Sequence, residues 1–151
     1  MRAEGNVPQA LADYHRALGY APTNPEILLA TAELYHELNR PQRTLETLHS
    51  LSDVYVPGEE PQRVLHLTGL AYLTLGRYQD AVASLSAAVR REQPTPEIYY
   101  HLGEAELLAG HPEAASAAAR NALILQPTHQ PSRELVNRIE FAQRAHDKQM
   151  R

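Results

Sequence analysis

The sequence of 151 residues contains no cysteine. This absence excludes thiol nucleophiles, disulfide bonds and zinc sites that depend on cysteine ligands. A chain without thiols suits any redox environment, so the compartment stays open, with the cytoplasm favoured over the periplasm.

The sequence also lacks an excess of positive charge, since 14 Lys and Arg residues face 18 Asp and Glu residues and the net charge is -4. Nothing therefore attracts nucleic-acid phosphates or anionic lipid over long range. No run of 18 apolar residues could span a bilayer, and the N-terminus has no apolar export signal. We expect a soluble chain that binds neither nucleic acid nor membrane.

Catalytic motifs are the third absence. The sequence has no glycine-rich phosphate loop, no serine nucleophile elbow and no zinc-binding HExxH helix. We therefore predict that the chain is not an enzyme and holds no cofactor.

The chain instead repeats itself. A shift of 34 residues superimposes small residues on small residues, and a shift of 37 places Tyr35 on Tyr72. The three extra residues fall in the segment 57–61. A fixed period of this length is typical of solenoid proteins, in which each unit buries its apolar face against the next. The pairs related by 34 are Gly69 and Gly103, Ala71 and Ala105, Gly76 and Gly110, Ala81 and Ala115, and Ala88 and Ala122.

Each unit is predicted to contain two amphipathic helices, because its apolar residues recur every three or four positions. Asn24 and Thr95 each precede a proline and a glutamate, which is typical of a helix start. Gly76 and Gly110 end first helices, and prolines begin the second ones. The mid-helix residues Ala32, Gly69 and Gly103 predict close helix packing, with Ala81 and Ala115 opposite them.

These features resemble the tetratricopeptide repeat family. Thr44, Glu106 and Val56 depart from its pattern, where alanine, an aromatic residue and proline are usual. The matching residues are Gly69, Tyr72, Gly76 and Ala81 in one unit, Gly103, Gly110, Ala115, Ala122 and Pro127 in the next, and Gly5, Ala10, Tyr14, Ala17 and Pro22 in a leading half-unit.

The resemblance implies an all-α, right-handed α-solenoid of helical hairpins with a C-terminal capping helix. We expect one domain over 1–151, excised from a longer protein. Its parts are an orphan second helix at 4–20, repeats at 25–58, 62–95 and 96–129, and a cap at 131–146.

In this family the first helices line a concave groove that holds an extended peptide or a partner helix, so we predict a protein-interaction scaffold. The register assigns acidic, imidazole and apolar side chains to that groove. They are Glu26, Leu29, Glu33, His36, Glu37, Arg63, His66, Leu70, Leu73, Glu97, Tyr100, His101, Glu104 and Leu107.

The best-known subgroup of the family grips acidic chaperone tails with lysines and asparagines. Here the corresponding positions hold Leu29 with Glu33, His66 with Leu70, and Tyr100 with Glu104, and Arg63 is the one fixed cation. We therefore expect a ligand with basic residues flanking an apolar anchor, and Tyr100 with Leu70 as its pocket.

The orphan helix predicts an uncovered apolar edge, which upstream sequence or a second copy of the chain would cover. Self-association or a spacer role in a larger protein is therefore the alternative function. The edge residues are Val7, Leu11, Tyr14 and Leu18.

The predicted cap carries one apolar stripe, formed by Leu135, Val136, Ile139 and Ala142. Phe141 falls off this stripe, by about 140° from Val136 at about 100° per residue. We favour a packed edge for Phe141 and keep open its contact with a missing segment or a partner.

The eight histidines raise two further possibilities. The clusters Glu33-His36-Glu37 and Glu97-His101-Glu104 have spacings at which a divalent metal could bind, but a solvated polar face is the preferred interpretation, so no metal site is predicted. His66 and His101 occupy nearly equivalent positions, so they could share the inner surface and make binding pH-sensitive. The remaining residues His15, His49, His111, His129 and His146 are expected near the surface, as are Glu59 and Glu60 in a solvated loop.

Overall fold

The computed structural model describes residues 6–151. Glu4 and Gly5, the first two residues of the predicted helix 4–20, therefore lie outside the described residues. All regular secondary structure in this range is helical. The helices are α1 (Val7–Tyr20), α2 (Pro25–Glu37), α3 (Pro41–Ser52), α4 (Gln62–Thr74), α5 (Tyr78–Arg91), α6 (Pro96–Leu108), α7 (Pro112–Leu125) and α8 (Gln130–Gln149).

The predicted helix starts are confirmed at α2 and α6. The Asn24 side chain accepts a hydrogen bond from the backbone N–H of Ile27 at 3.1 Å. Thr95 Oγ1 accepts the equivalent bond from Ile98 at 3.3 Å. Both side chains satisfy an N–H group that has no acceptor within the helix, which fixes where each helix begins.

The turn inside each hairpin requires a left-handed residue at the same register position. Gly76 and Gly110 adopt φ values of 73° and 89° there, and Asn39 adopts 53° in the first complete hairpin. Glycine has no Cβ to clash in this region, and asparagine is among the few other residues that tolerate it. Each turn reverses the chain so that the two helices of a hairpin pack antiparallel.

The hairpins stack in chain order, because each helix from α1 to α7 packs against the one that follows it. In addition, α2 contacts α4, α4 contacts α6, and α6 contacts α8. The first helices of successive hairpins therefore form one continuous layer. We call the side of this layer that carries the groove residues assigned above the inner face; His66 is buried within it, whereas the other assigned residues are partly or fully exposed.

Two mid-helix glycines allow close packing between helices. A Cβ on Gly103 would lie 2.9 Å from Leu135 Cδ2 and 3.2 Å from the carbonyl oxygen of Ala115. A Cβ on Gly69 would lie 2.5 Å from Leu85 Cγ. The prediction that Ala115 lies opposite Gly103 is thus confirmed, and the atoms nearest to a Cβ on Gly69 belong to Leu85.

The long linker between α3 and α4 is tied to α5. Arg91 Nε donates a hydrogen bond to the backbone oxygen of Glu60 at 2.8 Å, and its Nη2 lies 3.3 Å from Glu60 Oε2. The prediction that Glu60 is merely solvated is therefore wrong. The buried Thr44, which replaces the usual alanine, donates its hydroxyl to the Arg40 carbonyl at 2.9 Å and so leaves no unsatisfied polar group.

The cap α8 extends to Gln149, beyond the predicted end at 146. Leu135 and Ile139 are buried as predicted, and Ser132 joins them. The preferred interpretation of Phe141 as part of a packed edge is wrong, because 75% of its surface is exposed. Phe141 points away from the side of α8 that packs on α7.

Candidate binding surface on the inner face

The inner face carries a chain of polar contacts between neighbouring first helices. Arg63 Nε on α4 lies 3.1 Å from Glu33 Oε1 on α2, so this pair joins the first two of these helices. Both side chains remain partly exposed, with 48% of the Arg63 and 28% of the Glu33 side chain accessible. The one cation that the sequence places on this face is therefore already balanced by a carboxylate.

The predicted proximity of His66 and His101 is confirmed. His66 Nε2 on α4 lies 3.0 Å from His101 Nδ1 on α6, so one neutral ring donates a hydrogen bond to the other. Burial, and next the nearby charges of His101, Arg63 and His36, lower the pKa of His66 to about 4. Burial also lowers the pKa of His101, although the carboxylates of Glu104 and Glu97 act to raise it. The accepting nitrogen of this pair must be unprotonated, and the lowered pKa values of both rings favour that form.

His36 lies on the exposed side of α2, and its pKa is also lowered. Its pKa is lowered mainly by partial burial and next by Arg63, while Glu37 and Glu33 act in the opposite direction. The imidazoles of α2, α4 and α6 therefore interact with one another across the inner face.

Tyr100 and Glu104 of α6 form the next contact. The Tyr100 hydroxyl donates to Glu104 Oε2 at 3.0 Å, and burial together with this carboxylate raises the pKa of Tyr100. Arg138 Nη1 of α8 lies 3.4 Å from the same carboxylate oxygen. Arg138 is thus a second cation on the inner face.

His129 is buried, which contradicts its predicted surface position. Its Nδ1 lies 2.7 Å from Ser132 Oγ, and its Nε2 lies 3.6 Å from Glu97 Oε1 on α6. The ring also meets Tyr100 edge-on, at 6.0 Å between centroids.

The apolar residues assigned to the inner face are half-buried. Leu29, Leu73 and Leu107 each pack with one side against a buried cluster. Their remaining exposed surface, together with Leu70, is accessible to a ligand. The pocket between Tyr100 and Leu70 stays a prediction.

The two Glu and His clusters do not assemble as ligand sets. Glu33 contacts Arg63, His101 contacts His66, and Glu104 contacts Tyr100. Within residues 6–151, no group of three or more His, Asp or Glu side chains is placed to hold a metal ion.

The edge residues of α1 are half-buried, and Leu18 packs against the cluster formed by α2, α3 and α4. Within residues 6–151, the packing partner of α1 is α2 alone. No helix in the described part of the chain combines the length and apolar character needed to cross a membrane.

Comparison with known proteins agrees with this architecture. Two family models described as tetratricopeptide repeat match residues 1–63 and 66–129. The human tetratricopeptide repeat protein 16 is 26% identical over 136 residues, which cover 84% of this chain and 16% of that protein. The chain thus spans about a sixth of the length of this relative.

Two solved structures show the same fold. The crystal structure of MamA superimposes with a TM-score of 0.86 at 19% identity, covering 95% of this chain and 82% of that one. The second domain of human RPAP3, solved with the HSP70 peptide SGPTIEEVD, gives a TM-score of 0.69 at 15% identity and covers 78% of this chain and 98% of that one. By its repeats and its fold, the chain belongs to the tetratricopeptide repeat family.

Proposed function

We propose that this chain is a protein-interaction scaffold that binds a peptide or a helix on its inner face, and that the ligand combines basic and apolar residues. The observation that carries the proposal is the charge of this face. Its cations are Arg63 and Arg138, and each lies beside a carboxylate. Its carboxylates are Glu26, Glu33, Glu37, Glu97 and Glu104.

This charge distribution favours a cationic ligand over an anionic one. The peptide in the RPAP3 complex, SGPTIEEVD, is acidic near its end. Such a peptide on the present inner face would meet carboxylates, and it would have to compete for Arg63 with Glu33 at 3.1 Å. Lysine or arginine side chains would instead find partners along α2 and α6.

The apolar part of the ligand is supported by the half-buried leucines of the inner face. Leu73 and Leu107 are held by the core on one side and are partly exposed on the other. Rigid apolar surface of this kind favours binding because little side-chain entropy is lost. The half-buried leucines thus support the apolar part of the proposed ligand. The proposed role is binding, and it involves no cofactor and no catalysis.

A pair of labelled peptides tests this proposal. One has lysines flanking a leucine and a phenylalanine, and the other has the same apolar residues with glutamates in place of the lysines. We expect fluorescence anisotropy at 50 to 150 mM salt to show at least about tenfold tighter binding of the basic peptide, with an affinity that falls as salt rises. Equal or tighter binding of the acidic peptide would contradict the proposal.

Glu33→Lys is the variant that tests the site, and Glu46→Lys is its matched control. Glu33 contacts Arg63 on the inner face, whereas Glu46 contacts Arg43 on α3 at 3.5 Å. Both substitutions remove a carboxylate from an arginine and change the net charge equally. Glu33→Lys should weaken binding of the basic peptide several-fold more than Glu46→Lys, mainly through the association rate.

The second candidate function, self-association, is supported by the edge of α1. Leu11 and Tyr14 are half-buried although α1 packs against α2 alone among the described helices, so a second copy could cover the rest of this stripe. Sedimentation velocity over a hundredfold range of concentration tests it. A dimer that Leu11→Asp converts to a monomer would support this role, and a monomer at all concentrations would contradict it.

A further inference from the structure

We propose that the inner face continues onto α8, where Phe141 anchors an apolar residue of the ligand whose basic residues lie against α2. This inference rests on the proposed binding function and adds to it a fourth helix, an anchor residue and a ligand direction.

The repeat register places α8 in the position of a fourth first helix. The shift of 34 residues that relates the last two repeats takes Leu73 to Leu107, and a second shift of 34 takes Leu107 to Phe141. The same shift takes Glu104 to Arg138. In the structure α8 contacts α6 as α6 contacts α4, so the layer of first helices includes α8.

The contact of Arg138 shows which side of α8 faces this layer. Arg138 reaches Glu104 on the inner face of α6 at 3.4 Å. Phe141 follows three residues later, which places it one turn further along and about 60° around the helix from Arg138. Phe141 therefore lies at the same side of α8 as the residue that joins the inner face. With 75% of its surface exposed, it is available to a ligand.

Charged and apolar groups are separated along the inner face. The position that Phe141 occupies on α8 is held by His36 on α2, by Leu73 on α4 and by Leu107 on α6. This edge thus changes from polar to apolar along the array. Three of the five carboxylates of this face, Glu26, Glu33 and Glu37, lie at the opposite end on α2, and Glu104 on α6 is already in contact with Arg138. Charge complementarity therefore orients a ligand with its basic end at α2 and its apolar end at α8.

Helix spacing sets the distance between the two ends of such a ligand. Helices in contact lie about 8 to 10 Å apart, so the three steps from α2 to α8 span roughly 24 to 30 Å. An extended chain advances about 3.3 Å per residue, so roughly eight residues separate the basic and apolar groups. The proposed occupant is an extended segment with this arrangement.

The test uses two labelled peptides of identical composition. One has two lysines, a spacer of eight serine and glycine residues, and then leucine and phenylalanine. The other has the lysines directly beside the apolar pair. We expect the spaced peptide to bind at least about fivefold more tightly, because it can contact α2 and α8 together.

Phe141→Ala and Ile124→Ala form a matched pair of variants. The two side chains are 75% and 76% exposed, and Ile124 lies on the second helix α7. We expect Phe141→Ala to weaken the spaced peptide about tenfold and Ile124→Ala to leave it unchanged. Equal effects of the two variants, or no effect of Phe141→Ala, would overturn the proposal.

A nitroxide label on the apolar end of the spaced peptide gives an independent readout. It should broaden the amide NMR signals of α8, and a label on the lysine end should broaden those of α2. Binding of the basic peptide with the opposite or no preferred direction would overturn this inference while leaving the proposed function standing. If the wild-type chain binds none of the peptides, both this inference and the proposed function are overturned.

Sedimentation distinguishes a peptide from a second copy of the chain as the partner that covers Phe141. If sedimentation shows a dimer that Phe141→Ala converts to a monomer, a second copy covers this residue and the peptide proposal is overturned. If the wild-type chain and Phe141→Ala sediment alike while peptide binding differs, the proposal stands.

Discussion

The two terminal helices of the array are held in different ways. None of the α1 residues is fully buried, and α1 packs against α2 alone among the described helices. By contrast, α8 contacts both α6 and α7 and buries Leu135 and Ile139. A helix with two neighbours loses water from two sides, so its apolar stripe contributes more to stability than a similar stripe with one neighbour.

The position of an apolar residue in the array therefore decides its contribution to stability more than its type does. Leu11 and Leu135 are both leucines on helical apolar stripes, but Leu11 is half-buried and Leu135 is completely buried. We therefore expect α8 to unfold with the body of the array and α1 to open locally.

The largest expected effect is that of truncating these two leucines. Leu135→Ala leaves a cavity beside Gly103 and Ala115, so it should lower the free energy of unfolding by about 3 kcal/mol. Leu11→Ala, the matched control at the other end, should lower it by less than about 1 kcal/mol, since its side chain stays partly hydrated. Urea unfolding followed by circular dichroism measures both. Equal losses would contradict the difference between the ends.

Lowering the pH weakens the middle of the array. Burial lowers the pKa of His66 from 6.5 to about 4 in the folded chain, while the unfolded chain keeps the ordinary value. Between these pH values the unfolded state binds more protons than the folded state. The contribution of His66 to stability is therefore fully present above about pH 6.5 and is lost as the pH falls to about 4. His36 and His101 act in the same direction.

The expected loss from His66 alone is about 2 kcal/mol between pH 7.5 and pH 5. Urea unfolding at the two pH values measures it, and His66→Asn should reduce the difference. Exchange of the α1 amides, corrected for intrinsic rates, should change little, because α1 opens without separating α4 from α6. An unchanged pH dependence in His66→Asn would contradict this account.

Substituting alanine for Gly103 tests how closely α6 packs against α8. A Cβ on Gly103 would meet Leu135 at 2.9 Å and the Ala115 backbone at 3.2 Å. Gly103→Ala should therefore destabilise the chain by about 1 to 2 kcal/mol, because overpacking exceeds the gain in helix propensity. Thermal and urea unfolding measure the change. An increase in stability would show that α6 and α8 can separate freely at this point.

The general architecture could be predicted from the sequence because short-range capping and turn residues determine the helix boundaries. Asn24 and Thr95 mark helix starts through their own side chains, and Gly76 and Gly110 mark turns through their backbone freedom. Such signals act within a few residues, so they do not depend on how the hairpins stack.

The contacts between hairpins could be predicted less well. A helical wheel gives the side on which a residue lies but not the neighbour that it meets, so it predicts neither the contact of Arg138 with α6 nor that of His129. The proximity of His66 and His101 was predicted correctly because the repeat register places them within one residue of equivalent positions on neighbouring first helices. The same register, extended to α8, aligns Phe141 with Leu107 and is the signal that the wheel alone could not supply.

The smallest expected effect is that of Gly19→Ala in α1. A Cβ on Gly19 would meet nothing within 4 Å, and alanine is favoured over glycine inside a helix by about 0.5 to 1 kcal/mol. Since α1 opens locally, this gain should slow exchange of the α1 amides by a factor of about two to five and leave the urea midpoint of the whole chain almost unchanged. Hydrogen exchange by NMR measures the first effect and circular dichroism the second. A rise in the global midpoint that matches the slower exchange would mean that α1 unfolds together with α8, and the two ends would then differ in burial but not in cooperativity.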